Sequence, residues 1–328
     1  MRGTILFANS ASCIWRRTLW SILIVVWSPY SKGETLTVQL EWWHTASSVG
    51  LYAAIECGFF ADEGLEVRLL EGGPAIDPVA AVVTGKADIG VANGATVVIG
   101  RSHGYPIKAI SAQYRLSPVV FLSLQSQGIV KPQQMRGKRI IANQDTLPIL
   151  LAMLGNVGLA RNQYTVLDLD PKGEYLIDGS ADVIAAFIGN LSEWLQQRGY
   201  PTNAIFPSDY RVHSYSKVHF ALDNFIDEQP ALLKRYLRAY LKGWQYILQD
   251  VSRVDSLLAK YITDPEELMK QQGSLDSKLP LLYGQDDEML GYMQVDHWSS
   301  IVELLAGQGL IGERPPVHEL FTNALLPR

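Results

Sequence analysis

From Glu34 to Phe206 the chain alternates short β-rich runs with helical stretches, and that alternation restricts it to α/β architectures built from βαβ units. A first series reads as strands Thr35–Leu40, Glu66–Leu70, Ala87–Ala92 and Ile107–Gln113. Helices Val49–Glu56, stopping at Gly58, and Pro78–Val83, stopping at Gly85, fall between them. A second series begins near Ser117, with strands Val119–Leu124, Arg139–Ala142, Thr165–Leu169, Asp182–Phe187 and Ala204–Phe206 and helices that include Leu147–Asn156 and Ser192–Arg198. The character then changes. Pro230–Gln249 is one long amphipathic helix, with Leu233, Tyr236, Leu237, Tyr240 and Trp244 at three- and four-residue spacings, and more helix follows, ending in Met289–Ala306.

An internal echo divides the strands into two sets. Gly85-Lys86-Ala87-Asp88-Ile89 returns loosely as Gly179-Ser180-Ala181-Asp182-Val183, each copy leading from a helix into an apolar strand. Helix–Gly–strand junctions recur in any α/β protein, so the echo alone leaves two readings open. The functional one is a pair of similar lobes with a cleft between them, where open α/β sheets bind ligands beyond their strand ends.

The first 33 residues differ from the rest. Arg2, Arg16 and Arg17 precede the apolar run Leu19–Trp27, with no acidic residue in the segment. That run falls short of the roughly 20 residues a spanning helix needs and suits a secretory signal. Ser31 and Gly33 are a small-residue pair, so residues 1–33 are expected to be removed after Gly33; uncut, they would be a short membrane anchor. Cys13 lies ahead of the run, the wrong place for a lipoprotein cysteine, so Cys57 alone remains in the processed chain. Its apolar neighbours suggest a small buried side chain.

Composition removes several function classes. With 48% apolar and 19% charged residues, the 328-residue chain can build about two cored domains. A net charge of −5 argues against nucleic acid as a partner. There is no Gly-x-Ser-x-Gly, no His-Glu-x-x-His and no P-loop. His213 and His219 stand six apart as a weak metal pair, and no metal or cofactor is expected. What does accumulate is aromatic, amide and carboxylate groups at strand ends: Trp42 and Trp43, Asn93, Gln113 and Tyr114, Asn143 and Asp145, Asn190, and Asp209. Flat rings to stack on, with polar groups to fix an edge, describe a pocket for a small polar heterocycle.

Several runs also resemble a known family. Gly50-Leu51-Tyr52-Ala53-Ala54, Gly58-Phe59-Phe60, Glu63-Gly64-Leu65-Glu66-Val67 and Val83–Gly90 resemble the opening landmarks of periplasmic solute-binding proteins of the sulfonate and thiamine-precursor type, the SsuA/THI5-like group. Asn190, Phe206-Pro207-Ser208-Asp209-Tyr210, Ser214-Tyr215, Trp298 and Gly309-Leu310-Ile311 are similar to its thiamine-pyrimidine branch. The resemblance implies a two-lobed type II periplasmic-binding-protein fold, each lobe a mainly parallel sheet flanked by helices. Residues 34–117 and 215–328 would form lobe I and 118–214 lobe II, with the hinge in two crossing strands through Leu116–Leu122 and Val212–Ala221. It also implies a monomeric, periplasmic component of an ABC importer that binds a small molecule and meets a membrane permease. Trp42 would stack on the ring; Asn93, Tyr114, Asn190 and Asp209 would hydrogen-bond it.

That branch also contains pyrimidine synthases that hold pyridoxal phosphate on a lysine beside a histidine. Here those positions align with Ala92 and Thr96, which can supply neither group, and no cysteine follows Cys57 for the synthases' iron-binding run. An expected glutamate two residues after Asn190 is Ser192, with Glu193 one place further on.

Overall fold

A computed structural model describes residues 33–143, 146–189, 191–283 and 289–327. The expected signal segment, Asp145 and Asn190 lie outside the described residues, apart from Gly33. Among the described residues ten strands form two five-stranded sheets. The first holds β1 (Glu34–Gln39), β2 (Leu65–Leu70), β3 (Ile89–Ala92), β4 (Ile107–Tyr114) and β10 (Ser216–Leu222), in the order β2-β1-β3-β10-β4. The second holds β5 (Val119–Leu124), β6 (Arg139–Ile141), β7 (Thr165–Leu167), β8 (Val183–Phe187) and β9 (Thr202–Ile205), in the order β7-β6-β8-β5-β9.

Four strands of each sheet share one direction and the fifth is reversed. β10 runs antiparallel to β3 and β4, and β5 antiparallel to β8 and β9. These are the two strands that arrive from the other sheet: β4 leads into β5 and β9 into β10. A strand entering from the side where its neighbours end must run against them, so the two-lobed arrangement itself dictates the reversal. The pairing of β10 with β4 shifts register between His219 and Phe220, a local irregularity in the crossing strand.

The sequence echo marks equivalent joints in the two lobes. Gly85 and Gly179 take positive φ values of 72° and 76° after their helices. Asp88 then accepts the Thr37 backbone N–H at 2.7 Å, and Asp182 accepts that of Arg139 at 2.8 Å. In each case the aspartate's own N–H returns to the same partner's carbonyl, at 2.9 Å, so it locks the incoming strand to its parallel neighbour.

Helices Val49–Glu56, Pro78–Val83, Leu147–Asn156 and Pro230–Gln249 have the expected bounds. The longest buries its apolar face in the lobe I core, including Leu233, Tyr236, Leu237, Tyr240 and Trp244. It approaches Val49–Glu56 closely because both contribute glycine at the contact. A Cβ on Gly243 would stand 2.1 Å from the Gly50 carbonyl oxygen, and one on Gly50 would meet the Trp244 ring at 2.3 Å.

Two expectations are corrected, and one helix was not anticipated. The last long helix is Val295–Gly307, not Met289–Ala306; Gly291 takes φ +91° and bridges to Ala112, which keeps that stretch extended beside β4. The unanticipated helix is Gly94–Ser102, which forms despite the β-branched run Thr96-Val97-Val98-Ile99 and buries Ala95, Val97 and Val98 in the lobe core. Cys57 is half-buried rather than a core residue, since it caps the C-terminus of Val49–Glu56.

Candidate functional site

The ends of β1, β3 and β8, the start of β10 and the segment after β6 converge on a cleft of about 460 Å³. On the lobe I side, β1 runs on into Glu41-Trp42-Trp43. Gln39 fixes that exit by donating to the carbonyl oxygens of Leu40 at 3.0 Å and Glu71 at 3.0 Å. Gly72 lies beneath it, where a Cβ would fall 2.4 Å from the Leu40 oxygen. Trp42 is half-buried and Trp43 is exposed, and both line the cleft.

Asn93 follows β3 and is the N-cap residue of Gly94–Ser102. Its Oδ1 accepts from Ser216 Oγ at 2.7 Å, which ties the end of β3 to the start of β10 at the rear of the cleft. The facing wall brings Asn143, Thr146, Phe187 and Trp194. A third wall comes from helix Pro265–Gln271, whose start is set by Asp264 accepting from the Glu266 and Glu267 backbone N–H groups. Gln271 Oε1 accepts from the Ala46 backbone at 3.1 Å, fastening this helix to the Trp42 loop.

Of the five residues expected to meet a ligand, Trp42 and Asn93 line the cleft. Asn190 lies outside the described residues, although Leu191 and Trp194 beside it contribute to the wall. Tyr114 stands one layer back, fully buried, and burial pushes its phenol well above the usual range. Its neighbour Gln113 supports the wall from behind, donating to the Ser47 carbonyl at 2.9 Å and accepting from Tyr240 at 3.1 Å. Asp209 is exposed on the turn Pro207–Tyr210 and is not among the lining residues. Glu193 is exposed and also outside the lining, while Ser192 is half-buried.

Sequence reading missed much of the cleft wall, Trp194, Thr146 and Phe187 among it, and most notably a charged pair. Lys217, from the second residue of β10, meets Glu41 with Nζ to Oε1 at 2.5 Å, and their side chains are 3% and 7% exposed. Lys217 adopts φ +54°, a conformation lysine rarely takes. Glu41 could have been noticed beside Trp42, but nothing in the sequence pairs it with a residue so distant. The candidate histidines part company: His219 is buried against Tyr236, Nδ1 to hydroxyl 2.8 Å, while the His213 ring packs near His297 at 6.1 Å.

Two lobes, each with one reversed crossing strand, and a cleft at their strand ends define a type II periplasmic-binding-protein fold. A solved structure bears this out: the periplasmic aliphatic sulphonate binding protein SsuA of Escherichia coli superposes with a TM-score of 0.68 at 14% identity, covering 87% of this chain and 91% of that one. The NMT1/THI5-like family profile matches residues 45–252, and the chain belongs to that family. Its relatives include the formylaminopyrimidine-binding protein of Halalkalibacterium halodurans, 26% identical over 79% of this chain and 77% of that protein. The riboflavin-binding protein RibY of Chloroflexus aurantiacus is 23% identical over 84% and 81%. The Saccharomyces cerevisiae 4-amino-5-hydroxymethyl-2-methylpyrimidine phosphate synthase THI13 is 23% identical over 66% and 68%. No helix among the described residues is long and apolar enough to cross a membrane.

Proposed function

We propose that this protein is the solute-binding component of an ABC importer and captures a small polar aromatic heterocycle, a thiamine-pyrimidine precursor, between its lobes. The observation that carries the reading is the pairing of Trp42 and Asn93 on one wall with Asn143 and Trp194 on the facing wall. A flat ring stacks on indole, while amides read its donor and acceptor edge. The formylaminopyrimidine- and riboflavin-binding relatives support a heterocyclic ligand.

The chain works as an exported monomer. Residues 34–117 and 215–328 move as one lobe and 118–214 as the other, and the ligand favours closure by touching both. The closed face then meets the membrane permease.

Titration calorimetry with a formylaminopyrimidine, riboflavin and an alkanesulfonate tests this. Tightest binding is expected for the pyrimidine; a preference for the sulfonate, or no binding to any of the three, overturns it. The yeast relative motivates one competing reading, a pyrimidine synthase. Ala92 is buried in β3 and Thr96 sits in the following helix, so neither position offers an amine or imidazole. Incubation with pyridoxal phosphate and iron should give neither an aldimine absorbance nor turnover.

A further inference from the structure

Resting on that reading of the cleft as a heterocycle site, we propose that the buried Glu41–Lys217 pair is its charge selector. It commits the cleft to uncharged or cationic aromatic ligands and turns away anionic ones, including phosphate esters of the same ring.

A lysine buried at the back of a ligand cleft is by itself an anion receptor. Lys217 is 3% exposed and lines the cleft, yet its ammonium lies 2.5 Å from Glu41 Oε1, so its charge is already neutralised. The second oxygen of that carboxylate, Oε2, is buried and accepts no hydrogen bond. The pair thus holds an unused acceptor, which suits a ligand N–H and opposes a sulfonate or phosphate oxygen.

The rest of the wall points the same way. Lys270 is shared between Glu266 at 3.5 Å and Glu267 at 3.8 Å. Asp170 and Glu174 also line the cleft, against one further lysine, the exposed Lys172. Among the described lining residues five carboxylates face three ammonium groups, a net charge of −2, with Arg198 outside the lining 3.9 Å from Glu266. Like charge in a partly desolvated cleft is repelled more strongly than in water. The fold alone does not set this preference, because a sulphonate-binding protein shares it.

A merely structural tie between β1 and β10 is the plainer account of the pair. Against it stands the backbone of Lys217, held at φ +54° where a lysine is strained, so that its side chain meets Glu41 in the cleft wall. The two accounts also differ in what they predict for ligands.

Calorimetry with two matched pairs separates them: 4-amino-5-hydroxymethyl-2-methylpyrimidine and its phosphate ester, and riboflavin and its phosphate. Wild-type protein should bind the uncharged member of at least one pair about 10-fold or more tighter than its ester. Glu41→Gln frees the Lys217 charge and should raise ester affinity about 10-fold, with a salt dependence the parent compound lacks. The double variant Glu41→Gln/Lys217→Met should lose that gain.

Should Glu41→Gln fail to fold, as a buried lysine stripped of its partner can cause, the wild-type ratio still decides. Wild type binding ester and parent equally overturns the charge selector and leaves the heterocycle reading standing. Ester gain that survives in the double variant also overturns it. Wild type binding no member of either pair overturns the heterocycle reading and the selector with it.

Discussion

Trp42 and Trp43, consecutive in the chain, hold their ring centroids 5.0 Å apart with planes inclined by 59°. One cleft therefore receives two indole surfaces at different angles from a single loop. Trp42 is the better stacking platform because it is half-buried, whereas Trp43 is 44% exposed.

Trp42→Ala should weaken ligand binding about 10-fold or more, since losing aromatic stacking costs about 0.5–1.5 kcal/mol beyond the buried area. The melting temperature of ligand-free protein should hardly change. Trp298 should behave in reverse: it is fully buried and stacks on Phe321 with centroids 5.8 Å apart, so Trp298→Ala removes core packing worth about 3–5 kcal/mol. Calorimetry beside ligand-free melting curves checks both. Wild-type affinity in Trp42→Ala would remove the ring from this wall.

Asn93 and Asp209 make a sharper pair, because both follow strands and only one reaches the cleft. Asn93→Ala strips the amide that accepts from Ser216 and should cost about 5-fold or more in affinity, an unpaired buried polar group costing about 1–3 kcal/mol. Asp209→Ala should bind within about 2-fold of wild type, in keeping with the small effect of exposed surface substitutions. A large loss at Asp209 would mean that the turn Pro207–Tyr210 folds inward around the ligand.

The contrast shows what could be read from the sequence. Strand ends point at the cleft as a rule of α/β topology, so Asn93 and Trp42 were legible from position and chemistry. After β9, however, Pro207–Tyr210 coils into a short 3-10 turn and Arg211 takes φ +62°, which carries Asp209 outward. No residue count past a strand reveals that. Tyr114 is placed differently: it is the last residue of β4, not beyond it, and is fully buried a layer behind the cleft. The Glu41–Lys217 contact and the wall from Pro265–Gln271 depend on tertiary pairing between distant segments, which periodicity does not encode. By contrast, Val49–Glu56 and Pro230–Gln249 announce themselves through the spacing of apolar residues and through Gly58.

The N-terminus of exported protein should be Glu34. β1 starts at that residue, and its backbone N–H already donates to Gly64 at 3.0 Å, with its carboxylate paired to Arg235. Removing residues 1–33 therefore takes away no strand pairing of β1. N-terminal sequencing of periplasmic protein checks this; a mature chain starting several residues into β1 would contradict it.

The last expectation concerns acid. His219 is fully buried, and desolvation, helped by the nearby Lys217 charge, depresses its pKa from 6.5 to about 3. The native imidazole thus stays neutral while the unfolded chain takes a proton below about pH 6.5. Between those limits the unfolded state binds more protons, so stability is complete above about 6.5 and falls as pH drops toward 3. His44, also lowered mainly by burial, adds to the same limb. Glu56 and Glu63 are held below the usual carboxylate range by Lys260 and Arg238, and their share is lost only at lower pH. From pH 7 to 5 the histidines act together with Lys278, which burial lowers to about 7 and which adds to the fall near pH 7, and with Glu193, which burial raises and which opposes the fall toward pH 5. The His219 share is therefore read from the variant. Denaturant melts of ligand-free protein should show a falling midpoint across it, and His219→Gln, which keeps a partner for Tyr236, should flatten that fall by about half. Equal wild-type stability at pH 5 and 7, or an unchanged slope in His219→Gln, would show that the buried imidazole is not what couples folding to pH.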